Sequence, residues 1–121
     1  MKTFLVVDDS STVRKVARRM LEQLSFKVTE AEDGQKALEQ CATGLPDAIL
    51  LDWNMPVTNG PDFLRQLRDR YGRGDPKVIF CTSENDPAQI AAALNGGADE
   101  YIMKPFDAEI LKEKLEEVGL I

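Results

Sequence analysis

Five residues set out the chemistry this chain can perform: Asp8, Asp9, Asp52, Thr82 and Lys104. Each follows an apolar run. Val6-Val7 lead into Asp8-Asp9, Leu50-Leu51 into Asp52, Phe80-Cys81 into Thr82, and Ile102-Met103 into Lys104. After Asp52 come Trp53 and then Asn54-Met55-Pro56, which cannot continue a strand. A core strand here ends by delivering one carboxylate to a loop. If the runs are parallel strands, their ends point the same way, and one rim collects carboxylates, a hydroxyl and an ammonium.

Carboxylates gathered in this way repel one another. A pair ~4 Å apart costs about 4 kcal/mol at an effective dielectric near 20. The site must raise a pKa or bind a cation. Oxygen-only ligands suit a hard divalent ion, and Mg²⁺ needs few carboxylates because it keeps several waters. The expected site is a weak Mg²⁺ centre with side chains from Asp9 and Asp52, support from Asp8, and the backbone carbonyl of Asn54 as a further ligand. A carboxylate beside Mg²⁺ can attack phosphorus, and phosphoryl transfer depends mostly on positioning and charge neutralisation. Asp52, at mid-rim, is the expected nucleophile. Lys104 and the Thr82 hydroxyl would meet the other phosphoryl oxygens.

That chemistry requires elements that bring the five together. TFLVVDD (3–9), FKVTEA (26–31), DAILLD (47–52), KVIFCT (77–82) and EYIMK (100–104) read as buried strands. Between them lie helical patterns. Val13, Val16, Ala17, Met20, Leu21 and Leu24 recur at helix spacing after a cap at Ser10 or Ser11. Asp33-Gly34 open a second helix, and Asn59 caps a third with Pro61 in its first turn. Asp86-Pro87-Ala88-Gln89 reads as a capping box, and the last helix is expected over Phe106–Val118. Strands alternating with helices imply an α/β fold: a doubly wound parallel sheet with helices on both faces. Its ligands bind outside the carboxyl ends of the strands.

Bulk properties narrow the function. A length of 121 residues fits one domain, 1–121, and 43% hydrophobic residues suffice for a core. A net charge of −6 disfavours nucleic acid and anionic membrane as partners. The apolar run in MKTFLVVDD is too short for a signal peptide, so the expected compartment is the cytoplasm. Cys41 and Cys81 then read as reduced thiols in apolar positions. With no histidine in the chain, most hydrolase triads and zinc sites are excluded.

Taken singly, these residues have ordinary explanations. Acids after strands commonly cap helices, and Thr82 or Lys104 alone would be a loop hydroxyl and a solvated charge. Capping does not explain why a cation arrives on the same rim.

Together the motifs resemble those of a response-regulator receiver domain, of the single-domain CheY-like chemotaxis kind. The segments are FLVVDDSSTVRK (4–15), AEDGQKAL (31–38), LLDWNMPVTNG (50–60), CTSE (81–84), AAALNGGADEYIMKPF (91–106) and LKEKL (111–115). The resemblance implies a five-stranded sheet in the order 2-1-3-4-5 with five helices. It makes Asp52 the phosphoacceptor, Asp8 and Asp9 the Mg²⁺-binding pair, and Thr82 and Lys104 the phosphoryl contacts. It implies a cis Lys104–Pro105 bond and a switch in which Tyr101 follows Thr82. Asn54 and Glu84 match positions that tune the lifetime of the acyl phosphate. The donor would be the phosphohistidine of a separate, CheA-like histidine kinase. With no output domain after residue 121, the output would be protein binding by a monomer, with the flagellar motor switch as leading target and a phosphate sink as alternative. The domain would be no enzyme beyond its own phosphorylation and dephosphorylation. Pro61 and the YGRGD loop (71–75) depart from the family pattern, and both lie away from the rim.

Three rivals are weaker. An aspartyl phosphatase would need a second acid two residues after Asp52, where Asn54 stands. A flavin mononucleotide carrier would offer hydroxyls and amides where this chain has Asp8 and Asp9. An unphosphorylated adaptor would not need the complete acidic and basic set. Outside these motifs, Arg14, Lys15, Arg18 and Arg19 form a basic helix face, read as solvated in preference to a dock for an acidic kinase domain.

Overall fold

Side chains alternate so strictly along the strands that the layers follow from them. The computed structural model describes every residue except Pro56, Arg73, Glu84 and Asn85. Its elements are β1 (Thr3–Val7), α1 (Ser11–Gln23), β2 (Lys27–Ala31), α2 (Gly34–Thr43), β3 (Ala48–Asp52), α3 (Gly60–Tyr71), β4 (Lys77–Thr82), α4 (Pro87–Asn95), β5 (Glu100–Met103) and α5 (Ala108–Glu117). The strands form one parallel sheet in the order β2-β1-β3-β4-β5, as the resemblance implies. Leu5, Val7, Ile49, Leu51, Val78 and Phe80 face α2, α3 and α4. Their neighbours Phe4, Val6, Ala48, Leu50, Ile79 and Cys81 face α1 and α5. Both faces are buried, which is why the strands read as continuous apolar runs.

Register carries the chemistry to one edge. Val7 pairs with Leu51, Asp52 with Cys81, and Thr82 with Met103. Asp8, Asp52, Thr82 and Lys104 therefore leave the sheet within about one residue of a common level. β1 lies between β2 and β3, so the crevice of this fold class opens where Asp8-Asp9 face Asp52.

The helices start on this rim, and their caps are identifiable. Ser10 accepts from the Val13 amide at 3.2 Å, Asp33 from Lys36 at 2.8 Å, Asn59 from Asp62 at 2.9 Å, Asp86 from Ala88 at 2.9 Å, and Asp107 from Ile110 at 2.8 Å. None of these caps is Asp9 or Asp52, so the ordinary explanation falls away for those two acids, while Asp8 accepts the Ser10 amide at 2.9 Å where α1 begins. Two expectations change. The last helix starts at Ala108, not Phe106, because Asp107 is extended and caps it, while Phe106 packs on the core beside α5. The capping box at Asp86 is half formed: Asp86 caps, but the buried Gln89 Oε1 has no hydrogen-bond partner among the described residues. The Lys104–Pro105 bond is cis, as expected, and Asp75–Pro76 is cis as well.

Gly60 decides how closely α3 approaches the site. A Cβ there would lie 2.5 Å from the Asp52 carbonyl oxygen and 2.7 Å from Phe80 Cε1. Gly60→Ala should therefore cost about 1–3 kcal/mol in urea unfolding, as overpacking does. An unchanged midpoint would show that α3 can retreat without strain. Cys41 and Cys81 are buried free thiols on opposite faces of the sheet. Burial raises their pKa values to about 11 and about 12, so both stay protonated.

Arg68 is a structural residue that sequence reasoning passed over. It is buried, and its guanidinium donates to the Gly97 carbonyl at 3.0 and 2.9 Å and to Pro76 at 2.8 Å. It also pairs with Asp99 at 3.2 Å. Its position four residues after Leu64, on the apolar stripe of α3, was the available signal.

Candidate functional site

Lys104 binds two of the three acids at once. Its Nζ donates to Asp8 Oδ2 at 2.9 Å and to Asp52 Oδ1 at 3.0 Å. Asp8 and Asp52 are 3% and 8% exposed, whereas Asp9 is open to solvent. One carboxylate oxygen from each of Asp8, Asp9 and Asp52 lies within 4.8 Å of the others. Octahedral Mg²⁺ at ~2.1 Å from its ligands holds adjacent oxygens about 3 Å apart and opposite ones about 4 Å apart. The trio fits such an ion with a small contraction, and its all-oxygen donors suit it.

Electrostatics make the pocket dependent on its cation. Burial, foremost, raises the pKa of Asp52. The Lys104 hydrogen bond opposes this, and the charges of Asp8 and Asp9 add to it. For Lys104, burial is the largest single influence and favours the neutral amine. Hydrogen bonds to Asp8 and Asp52 work the other way, and the net result lies well above the ordinary lysine range.

The remaining expected residues are placed as follows. Thr82 is buried at the end of β4, and its carbonyl accepts from the Lys104 amide at 2.8 Å. Trp53 is half-buried and packs on Phe80, with ring centroids 4.9 Å apart. Asn54 is exposed on the loop after Asp52. Tyr101 pairs with Phe80 in the sheet and is half-buried, with Lys114 Nζ 4.8 Å from its ring centroid. Glu84 lies outside the described residues.

The basic face of α1 is largely the solvated surface its sequence suggests, except at Arg14. Arg14 donates to Glu30 Oε1 at 3.0 Å and to the Asp8 carbonyl at 2.7 Å. Arg18 reaches Glu30 Oε2 at 2.9 Å and Glu22 at 3.3 Å. Hydrogen bonding, from Arg18 foremost, holds Glu30 below the usual carboxylate range. Lys15 and Arg19 are exposed on that face, and the Arg18 side chain is 42% exposed despite its ion pairs. No composition signal separated the two kinds of basic residue, because the partner, Glu30, comes from β2.

With this geometry in hand, comparison with known proteins is decisive. The model of the response regulator receiver domain matches residues 4–116. The chain belongs to the response regulator receiver family. The receiver is 40% identical over 116 residues to the chemotaxis protein CheY1 of Helicobacter pylori, covering 94% of each chain. It is 40% identical over 115 residues to the chemotaxis protein CheY of Pseudomonas aeruginosa, covering 94% of the receiver and 93% of that protein. Among solved structures, Vibrio cholerae CheY4 superposes with a TM-score of 0.91 at 30% identity, with 98% of each chain covered. The receiver is thus a two-component signalling domain. Among the described residues, no helix is long and apolar enough to cross a membrane.

Proposed function

We propose that this receiver is a phospho-accepting chemotaxis regulator of the cytoplasm, with Asp52 as acceptor. One observation carries the reading: the buried Asp52 carboxylate shares the Lys104 ammonium with Asp8, while Asp9 completes a carboxylate trio on the same rim. An Asp52 oxygen attacks the phosphorus of a kinase phosphohistidine. The new O–P bond forms as the P–N bond breaks, and the imidazole leaves with the electron pair. Bound Mg²⁺, held by Asp8, Asp9 and Asp52 and completed by the Asn54 carbonyl, would supply charge neutralisation for the phosphoryl group. An ammonium has three N–H donors, and Lys104 uses two on carboxylates, so one remains for a phosphoryl oxygen. The Thr82 hydroxyl supplies another contact. Asn54 has no titratable proton to shuttle, and it stands where this family tunes loss of the phosphoryl group to water.

The donor is a CheA-like histidine kinase. Beside Lys104 lies an open, mostly apolar cleft of about 400 Å³ lined by Thr12, Val13, Val16, Pro105 and Phe106, against which apolar side chains of the kinase can pack. The output is a protein target of the motor-switch kind, engaged when Thr82 and Tyr101 move toward the phosphoryl group. The test is transfer of labelled phosphate from an autophosphorylated CheA-type kinase. Label should pass to the receiver with Mg²⁺ and stay on the kinase with EDTA. Label that remains on the kinase under both conditions refutes the reading. A beryllofluoride-loaded receiver that retains only the kinase from a lysate assigns a phosphate sink in place of a motor regulator.

A further inference from the structure

We propose that Arg14 is a positioning residue for the acidic pair, held to that task by Glu30; this rests on the Mg²⁺ reading of the rim given above. The Arg14 side chain is only 16% exposed. Its Nη1 donates to the Asp8 carbonyl at 2.7 Å, and its Nε donates to Glu30 Oε1 at 3.0 Å. The second oxygen of Glu30 takes Arg18 Nη1 at 2.9 Å. A clamp therefore runs from β2 through α1 to the peptide unit that joins Asp8 to Asp9.

The two acids depend on that clamp unequally. The Asp8 carboxylate is fixed directly, by Lys104 Nζ at 2.9 Å and by the Ser10 amide at 2.9 Å. The Asp9 carboxylate is exposed and has no hydrogen-bond partner among the described residues. Its direction is set by the backbone that carries it, and Arg14 holds that backbone by the Asp8 carbonyl. Mg²⁺ demands near-ideal octahedral geometry, so small shifts of Asp9 appear as lost affinity. Groups that orient metal ligands commonly change affinity about 10–100-fold.

The sign of the effect separates positioning from charge. A guanidinium near the rim repels a divalent cation. If Arg14 acted through charge alone, its removal would tighten Mg²⁺ binding. If it positions Asp9, removal weakens binding against that electrostatic gain.

The experiment uses the full chain, titrated with MgCl₂ and followed by Trp53 emission and by rim amide chemical shifts. Arg14→Met should weaken Mg²⁺ binding about tenfold. Arg14→Lys keeps the charge but cannot fork between Glu30 and the Asp8 carbonyl, and should also weaken it. In metal-free protein both variants should speed amide exchange at Ser10, whose N–H is held by the Asp8 carboxylate, a readout that needs no metal. Arg18→Met breaks one Glu30 contact but spares the Asp8 carbonyl, and should stay within about twofold of the wild type. Binding as tight as wild type or tighter in Arg14→Met, with unchanged exchange at Ser10, overturns the proposal. A wild-type protein that shows no response to Mg²⁺ overturns the metal reading, and the positioning role with it.

Discussion

Asp52→Asn is expected to take up no phosphoryl group from acetyl phosphate and Mg²⁺, whereas the wild-type protein gains one phosphate in intact mass. The rate should fall by roughly 10³-fold or more, the order seen when a covalent nucleophile is deleted from an enzyme. Misfolding would not account for the loss. The substituted amide would keep a carbonyl oxygen for Lys104 and remove a charge that the folded protein disfavours. Because burial raises the pKa of Asp52, the ionised form is less welcome in the folded chain than in the unfolded one. The variant should therefore melt no lower than wild type at neutral pH, and slightly higher. The pH dependence has a defined sign. Above its raised folded pKa, Asp52 is a charged nucleophile and lowers stability. As the pH falls through that value, stability is recovered while phosphorylation is lost. The loss should begin at a higher pH than for an ordinary aspartate of pKa 3.8. A phosphate-sized mass gain that persists in Asp52→Asn would move the acceptor to another side chain.

Lys104→Met should produce the largest loss of stability among rim substitutions. It leaves the carboxylates of Asp8 and Asp52, 4% and 10% exposed, without the cation they share. Removing one partner of a buried ion pair commonly costs about 3–5 kcal/mol, and the 24% exposure of Lys104 places this case near about 2–3 kcal/mol. The pKa of Asp52 should rise further, since its opposing hydrogen bond is gone. In the wild type, Lys104 has a folded pKa above its ordinary 10.5. Its contribution is complete below that value and is lost only as the pH rises through the folded one. The ion pair is therefore intact at neutral pH, where the variant is compared. Millimolar Mg²⁺ should raise the melting temperature of Lys104→Met more than that of wild type, because the ion replaces the missing cation. A metal-free variant as stable as wild type would show that the ammonium contributes nothing net to the rim.

The sheet was legible in sequence because both of its faces are buried, so each strand appears as an unbroken apolar run such as FLVV or AILL. The rim acids were legible because Asp52 ends such a run before a segment that cannot extend it. Boundaries were less so. Phe106 is apolar and looks helical, but the cap at Asp107 excludes it from α5. Gln89 has the type and spacing of a capping-box partner, yet its Oε1 bonds to nothing among the described residues. The inward turn of Arg14 was illegible for a physical reason. Its partners, Glu30 and the Asp8 carbonyl, lie on other elements, and helix spacing reports only which face a residue shares with its own helix. Arg68 likewise satisfies backbone carbonyls that close only when α3, the Pro76 turn and Gly97 have met.

One element is attached differently from the rest. α3 buries Phe63, Leu64 and Leu67, and α5 buries Leu111 and Leu115, whereas α4 buries Ala93 alone. A methyl group accounts for about 0.8 kcal/mol of transfer free energy, against about 1.5–3 for each of the larger side chains. Compliance in this molecule is therefore concentrated in the helix that follows Thr82 in the chain. A displacement at the end of β4 would therefore meet less resistance from α4 than from α3 or α5.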